Sequence, residues 1–262
     1  ADEAFCREHR IGAINSTLWL RIVSHLVYYF WSYLQAVDRV GEEVVYAVPA
    51  GNFGNAYAGW LAKRMGLPIL RLIVATNEND TFDRFVRTGV YRPRPASDTI
   101  QTTSPSMDIS RAANVERFLY SFLKGDSRRV RELMVLLDDT GEFSLSAEEF
   151  SRLRRSGLSS GSSDHPNRLE IIEEMYLNHH VFVDPHTADA LYSGIILHPV
   201  GVKTLCLETV QPVKFPRMVR AATGHNPEWP FGYKAPPEVV TPPASHALTE
   251  EWLRGAVQEI GR

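Results

Sequence analysis

The sequence has little cysteine and no long apolar run, and each scarcity removes a class of protein. Cys6 and Cys206 are the only cysteines, too few for a disulfide framework or a cysteine-rich metal site, and they fit a reducing compartment. No run approaches the roughly 18 uncharged apolar residues of a membrane span, so we expect no membrane partner. The chain begins at Ala1 without a signal or transit pattern. We therefore expect a cytoplasmic location and leave a plastid open.

Basic charge and lysine are also scarce. The 262 residues carry a formal net charge of −3, so nothing predicts a nucleic-acid partner. The histidines show no ligand spacing, and adjacent His179 and His180 do not share a helix face, so no metal is predicted. Chemistry that needs a lysine has few candidates, which are Lys63, Lys124, Lys203, Lys214 and Lys234.

A strand, a glycine-rich turn and a helix start follow one another between residues 43 and 60. The β-branched residues 44–48 precede the turn, and small residues at helical spacing follow it. Unpaired backbone N–H groups at such a helix start favour a bound phosphate. No Gly-Lys-Ser/Thr ending makes this a P-loop, and the glycine spacing does not match a dinucleotide fingerprint. From the residues alone, a plain tight turn stays equally open. The turn itself is Gly51, Asn52, Phe53, Gly54 and Asn55.

The remaining pattern predicts an α/β fold, with a parallel sheet flanked by helices and a mainly helical insertion. A continuous apolar run at 69–75 predicts a second, buried strand, and residues 203–207 predict a third strand. A long helix is expected at 17–37, apolar over most of its circumference and therefore buried. Residues 157–166, rich in serine and glycine, predict a flexible surface connection. Further helices are predicted at 55–65, 81–88, within 114–155, at 168–179, from Asp184, after 216 and at 248–260.

Four ranges describe the expected domain organisation. Residues 1–110 form part of an α/β domain that includes the phosphate loop. Residues 111–183 form the helical insertion, and residues 184–224 return to the α/β domain. Residues 225–262 are a proline-rich tail and a C-terminal helix. No internal repeat is present.

Nine segments together resemble threonine synthase, a pyridoxal-phosphate enzyme, in the order of that family and over roughly residues 1 to 224. Any one of them is a weak signal, whereas nine in register are strong. They are Asn15-Ser-Thr-Leu-Trp-Leu-Arg-Ile22, Val48-Pro-Ala-Gly-Asn-Phe-Gly-Asn55, Ala58-Gly59, Met65-Gly-Leu-Pro-Ile69, Ala75-Thr-Asn-Glu-Asn-Asp80, Ser104-Pro-Ser-Met-Asp-Ile109, Asn114-Val-Glu-Arg117, Asp184-Pro-His-Thr-Ala188 and Pro212-Val-Lys-Phe215.

The resemblance implies an incomplete cofactor domain of fold type II that binds pyridoxal 5′-phosphate. Residues Gly51 to Asn55 would hold the 5′-phosphate, and Thr209 would lie near the pyridine nitrogen. The implied reaction is the conversion of O-phosphohomoserine and water to L-threonine and phosphate, a carbon–oxygen lyase reaction of threonine biosynthesis. The residues that match the family's substrate-side motifs are Asn15, Ser16, Arg21 and Lys214.

The sequence departs from the family pattern in two places. The Schiff-base lysine of the family belongs to a segment that this chain lacks, so we expect it upstream of Ala1. Gln211 stands in the closing motif where the family usually has histidine, and an amide cannot titrate. No catalytic residue is therefore predicted within the chain, and the isolated chain is expected to be inactive.

Several alternatives stay open. In one alternative, the full protein is a threonine synthase-like phospho-lyase that releases a 2-oxo acid. In another, the chain is a non-catalytic fragment that at most binds phosphate or pairs with a partner. Separately, self-association through the surface left by a missing N-terminal half is expected of the isolated chain. Instead of binding substrate, Arg21 could serve as a structural ion-pair partner. Instead of taking part in catalysis, the segment from Asp184 to Thr187 could serve only as a helix cap. The aromatic residues of the first helix would be core, or a surface that packs against a missing half.

Overall fold

The computed structural model describes residue 7 and residues 15–228, and all structural statements concern these residues. The predicted helix at 248–260 and most of the predicted tail lie outside them. The domain boundaries at residues 110, 183 and 224 stay predictions.

A four-stranded parallel sheet forms the centre of the fold, with strand order β5-β2-β1-β6. Its strands are β1 (Val44–Pro49), β2 (Ile69–Thr76), β5 (Leu158–Ser162) and β6 (Lys203–Cys206). A separate antiparallel pair joins β3 (Val90–Tyr91) to β4 (Phe143–Ser144). The predicted parallel sheet is therefore confirmed.

Nine α-helices surround the sheet in the described part of the chain. They are α1 (Trp19–Ala36), α2 (Gly54–Arg64), α3 (Thr81–Thr88), α4 (Val115–Phe122), α5 (Ser127–Thr140), α6 (Ala147–Arg154), α7 (His165–His179), α8 (Pro185–Leu197) and α9 (Pro216–Thr223). The capping box predicted at Ser146 and Glu149 is present at the start of α6.

Helices cover both faces of the sheet, because side chains alternate between the faces along each strand. Val44, Tyr46 and Val48 of β1 belong to the large core that includes α1 and α2. Val45 and Ala47 point to the other face, where they pack with Leu197 of α8 and its neighbours. Both faces of β1 are buried, which explains its continuous apolar run.

The prediction that α1 is a buried helix is wrong. Only Ile22, Tyr29 and Tyr33 of this helix are buried, and they form one stripe against α2 and β1. The rest of the fold packs against this stripe. No described residue covers the opposite side of the helix. The outer face consists of Leu20, Val23, Val27, Tyr28, Trp31 and Leu34, each at least half exposed.

The prediction of a flexible connection at 157–166 is also wrong. Residues Leu158–Ser162 form β5, an edge strand of the main sheet that pairs with β2, although the range lies inside the predicted helical insertion. Small side chains suit this position, because a Cβ on Gly161 would lie 2.9 Å from Oγ of Ser193 in α8. Close packing against α8 therefore favours residues that sequence patterns associate with loops.

Candidate phosphate-binding site

The glycine-rich turn connects the end of β1 to the start of α2. Phe53 is the N-cap of α2 and adopts a left-handed conformation, with φ of 62°. Its ring is buried and stacks on Phe82 at 4.0 Å between ring centroids. This packing holds a backbone conformation that is unfavourable for a bulky residue. Phe53 is thus the structural member of the turn.

The backbone N–H groups of residues 51–56 donate no hydrogen bond to any residue that the structure describes. The first regular bond of α2 runs from the N–H of Tyr57 to the carbonyl oxygen of Phe53, at 2.9 Å. A run of unpaired donors at a helix start concentrates positive electrostatic potential. The turn is therefore built to receive an anion.

Hydrogen bonds from Asn114 and Ala113 and a close approach to Ser106 fix the turn. The N–H and side-chain Nδ2 of Asn114 both donate to the carbonyl oxygen of Asn52, at 3.2 and 3.0 Å. A Cβ added to Gly51 would lie 2.5 Å from the carbonyl oxygen of Ser106. Only glycine lets these two backbone segments approach so closely. The hydrogen bonds from Asn114 fix the backbone carbonyl group of Asn52. Its side-chain oxygen also accepts a hydrogen bond from the N–H of Ala113, at 3.3 Å.

A cavity of about 410 Å³ opens above the turn. Eight of the ten residues predicted for cofactor or substrate line it, namely Ser16, Arg21, Gly51, Asn52, Phe53, Gly54, Asn55 and Thr209. The structure does not bring the other two to it. The Asn15 side chain accepts from the N–H and the hydroxyl of Thr17, and Lys214 lines a different cavity, beside α9. The roles of all ten residues stay predictions.

Arg21 projects from α1 into this cavity. It is exposed and forms no ion pair within the described residues, so the interpretation of Arg21 as a structural ion-pair partner is wrong there. Burial, and next the nearby Arg21 charge, lower the pKa of His25. His25 therefore adds no competing positive charge near neutral pH, and Arg21 is the charged group on this wall.

The sequence motif at 184–188 contributes more than the predicted helix cap. Asp184 is fully buried and accepts from the N–H of His186 at 2.8 Å, which confirms the cap. The same carboxylate oxygen lies 2.7 Å from Nδ1 of His186. His186 in turn lines the cavity, and its Nε2 accepts from the N–H of Ser106 at 3.1 Å. The Asp-Pro-His spacing was the one available signal for this pair.

A buried polar network fixes the loop that carries Ser106. Asn77 donates through Nδ2 to Thr102, Ser104 and Asp108, while Asn79 joins the same cluster. These asparagines follow the end of β2, and their amides provide hydrogen bonds to a loop that lacks regular backbone partners. The network therefore holds the segments at 75–80 and 104–109 next to each other in the fold.

A buried ion-pair group supports the far side of that loop. Arg168 is completely buried and binds both carboxylate oxygens of Glu78, at 3.0 and 2.7 Å. Its guanidinium also lies 3.0 Å from a carboxylate oxygen of Asp189 and donates to the hydroxyl of Thr103 at 2.9 Å. Composition alone gives no sign that one arginine among many is buried. Sequence reasoning missed it for that reason.

The other titratable groups at the site lie at the end of β6. Burial, and next the charges of Asp184 and Glu208, raise the pKa of the Cys206 thiol to about 12. Burial and the Asp184 charge also raise the pKa of Glu208.

None of the lysines in the described ranges lines the cavity. Over the same ranges, no helix is long and apolar enough to cross a membrane, and no group of three metal-ligating side chains occurs.

A phosphate group fits the end of the cavity at the turn. The N–H groups of the lining residues 51–55 have no partner among the described residues, and Arg21 supplies positive charge in the same cavity. The side-chain oxygen of Asn55 is buried and has no hydrogen-bond partner among the described residues. This amide can turn its nitrogen toward a bound anion, because its two ends have nearly the same shape.

Threonine synthases are among the known proteins similar to this chain, and no family model matches it. The chain is 45% identical over 230 residues to the enzyme of Methylobacillus glycogenes, covering 87% of this chain and 48% of that protein. It is 42% identical over 238 residues to that of Corynebacterium glutamicum, covering 90% and 50%.

The solved structures agree with the sequence comparison. The pyridoxal-phosphate-bound threonine synthase of Brucella melitensis superposes with a TM-score of 0.80 at 39% identity, over 87% of this chain and 48% of that one. The predicted fold class, an incomplete fold-type-II domain, is thereby confirmed. The chain spans about half the length of the curated relatives it matches, and over that span it is similar to threonine synthases.

Proposed function

We propose that this chain is the phosphate-holding part of a pyridoxal-phosphate-dependent threonine synthase. The observation that carries the proposal is the run of unpaired N–H groups at residues 51–56, in a turn whose residues 51–55 line a cavity together with Arg21 and Thr209. The substrate of that activity would be O-phosphohomoserine, and the products L-threonine and phosphate. The similarity to threonine synthases supports this substrate class.

Each part of the cavity would have a separate task. When bound, pyridoxal phosphate supplies an electron sink for a carbanion at the substrate Cα. The turn residues 51–55 would hold the 5′-phosphate, as a helix start does for anions. Thr209, across the cavity, would place a neutral hydroxyl near the pyridine nitrogen. A neutral group there leaves the ring nitrogen unprotonated.

Arg21 and Ser16 would bind the phosphate of the substrate. A guanidinium matches the geometry of a phosphate dianion through paired N–H donors. Arg21 lies in the first turn of α1, Ser16 lies just before that helix, and both line the cavity. We also propose that turnover needs a lysine outside these residues, so that the isolated chain is inactive. Asn15 and Lys214 would join the substrate site only after a rearrangement that brings them to the cavity.

A phospho-lyase that releases a 2-oxo acid is the second candidate. Gln211 favours it, because an amide stands where the family usually has histidine, and its side chain makes no capping bond. The two candidates share the elimination of phosphate and differ in whether water then adds to the carbon skeleton. Only the organic product separates them.

The test is product analysis on the protein that contains this chain, supplied with pyridoxal phosphate and O-phosphohomoserine. Our proposal predicts threonine and phosphate in equal amounts. A 2-oxo acid with phosphate would establish the second candidate, and no phosphate release would contradict both. The isolated 262-residue chain, assayed in parallel, should release none. Measurable phosphate release by the isolated chain would contradict the requirement for an outside lysine.

A further inference from the structure

The contact between His186 and Ser106 connects the buried start of α8 to the loop beside the phosphate turn. Asp184 fixes the imidazole, because one of its carboxylate oxygens faces both the N–H and Nδ1 of His186. Its other oxygen accepts from the hydroxyl of Thr187. A carboxylate at Nδ1 selects the tautomer with the proton on that nitrogen. Nε2 is then an acceptor, and it accepts the Ser106 N–H at 3.1 Å.

Ser106 transmits this contact to the turn. Its N–H is held by His186, and its carbonyl oxygen lies where a Cβ on Gly51 would clash, at 2.5 Å. The peptide groups of Ser106 therefore touch both the imidazole and the turn. No other hydrogen bond from the described residues holds the Ser106 N–H. Loss of the Nε2 acceptor would release the loop at its point of contact with Gly51.

The geometry points to His186 as a positioning residue for the phosphate site, held in one tautomer by Asp184. This inference rests on the proposed function for the identity of the ligand. Its Nε2 is committed to the Ser106 N–H, so the imidazole holds the loop and does not exchange protons with a ligand. The Phe215 ring packs against the imidazole in an edge-type arrangement, with 5.0 Å between ring centroids, and further restricts its orientation.

Two substitutions separate the two ends of the imidazole. A glutamine at 186 places an amide oxygen near the position of Nε2 and can accept the Ser106 N–H. An asparagine places its amide near Nδ1, so it can still donate to Asp184 but cannot reach Ser106. Both are shorter or slimmer than histidine and both leave a neutral polar group in the cavity. The pair His186→Gln and His186→Asn therefore tests the Ser106 contact apart from general packing.

The first measurement is hydrogen exchange of the Ser106 amide in the 262-residue chain. We expect exchange about tenfold faster in His186→Asn and within about threefold of the unsubstituted chain in His186→Gln, since one protein hydrogen bond is worth roughly that factor. Exchange of amides in β1 and β2 reports whether each variant is folded. Equal protection of Ser106 in both variants would overturn the inference. If His186→Asn does not fold, His186→Gln decides by itself. Loss of Ser106 amide protection in a folded His186→Gln variant would overturn the inference.

The second measurement is binding of inorganic phosphate and of pyridoxal phosphate to the same proteins. We expect affinity about tenfold lower in His186→Asn and largely retained in His186→Gln. Altered Ser106 exchange without any change in affinity would contradict a positioning role. If the unsubstituted chain binds neither ligand, the proposed function fails, whereas the exchange experiment still decides whether His186 holds the loop.

Discussion

Gly51 and the carbonyl oxygen of Ser106 lie so close that a single methyl group at residue 51 would stand 2.5 Å from that oxygen. The obstacle is backbone, not a movable side chain, so the loop or the turn must shift. Gly51 does not have a positive φ, and the cost of a side chain there is therefore steric.

Gly51→Ala should weaken binding of pyridoxal phosphate at least about fivefold, because overpacking of this kind costs roughly 1–3 kcal/mol. Titration calorimetry on the two proteins measures the change. Gly41→Ala is the control, because Gly41 has φ of 103° with open space around it. The control should lose stability through backbone strain and keep its affinity. Equal affinities of Gly51→Ala and the unsubstituted chain would contradict the close approach.

Arg168 should be essential to stability, because it neutralises Glu78 and Asp189 in the interior. Arg168→Met leaves the buried Asp189 carboxylate without its partner and should lower the free energy of unfolding by about 3–5 kcal/mol. Urea denaturation measures this loss. Arg128→Met is the matched control, because Arg128 is 92% exposed and 3.4 Å from Glu132. Exposed pairs of this kind contribute less than about 1 kcal/mol. Similar losses in both variants would contradict the account.

Asp189 should make stability depend on pH. Its Oδ2 has no hydrogen-bond partner among the described residues, and burial raises its pKa to about 6 despite the neighbouring Arg168. An unfolded aspartate has a pKa of about 3.9. Between about pH 4 and 6 the folded state keeps a proton that the unfolded state has released. The Asp189 contribution is thus fully present below about pH 4 and is lost as pH rises.

The variant Asp189→Asn cannot titrate and isolates this effect. The free energy of unfolding of the unsubstituted chain, minus that of the variant, should fall by about 2–3 kcal/mol between pH 4 and 6.5. Denaturant titrations at several pH values give the difference. A difference that rises with pH would mean that the Arg168 charge outweighs burial and lowers the pKa.

The outer face of α1 should cause the isolated chain to associate. Leu20 and Val27 are 69% and 62% exposed, and contiguous apolar patches of this kind favour association. Leu20→Lys with Val27→Lys should shift sedimentation of the chain toward monomer without a loss of melting temperature. Leu177→Lys on α7, also 62% exposed, should leave association unchanged. A monodisperse monomer before any substitution would contradict the prediction.

The parts of the fold that the sequence predicts well are those with strong local signals. The apolar sequences of β1 and β2 predict buried strands, because both faces of these strands are covered. The glycine turn is evident because Gly51 and Gly54 lie between a strand and a helix start. β5 was missed, since its serines and Gly161 suit close packing against α8 and resemble a loop. Local patterns cannot show which helix will lie over a strand.

The site shows the same limit. The order of the motifs predicts most of the residues that line the cavity. The helix start at Gly54 and the segment before Thr209 follow two neighbouring parallel strands, so they meet at the same edge of the sheet. The His186–Ser106 contact joins residues far apart in the chain, and no periodicity reports such a pair. Burial of Arg168 was likewise invisible, because its partners Glu78 and Asp189 come from separate elements. Apolar spacing on α1 predicted burial correctly for one stripe and wrongly for the rest.

The most direct test of the central claim follows the backbone amides of residues 51–56 by NMR during titration of the chain with pyridoxal 5′-phosphate, inorganic phosphate and pyridoxal. We expect both phosphate-bearing ligands to shift these amide signals, because the N–H groups of residues 51–56 are the unpaired donors. Pyridoxal, which lacks the phosphate, should leave them in place. Amide signals that do not move, or that move equally with pyridoxal, would contradict the claim that this turn holds the cofactor phosphate.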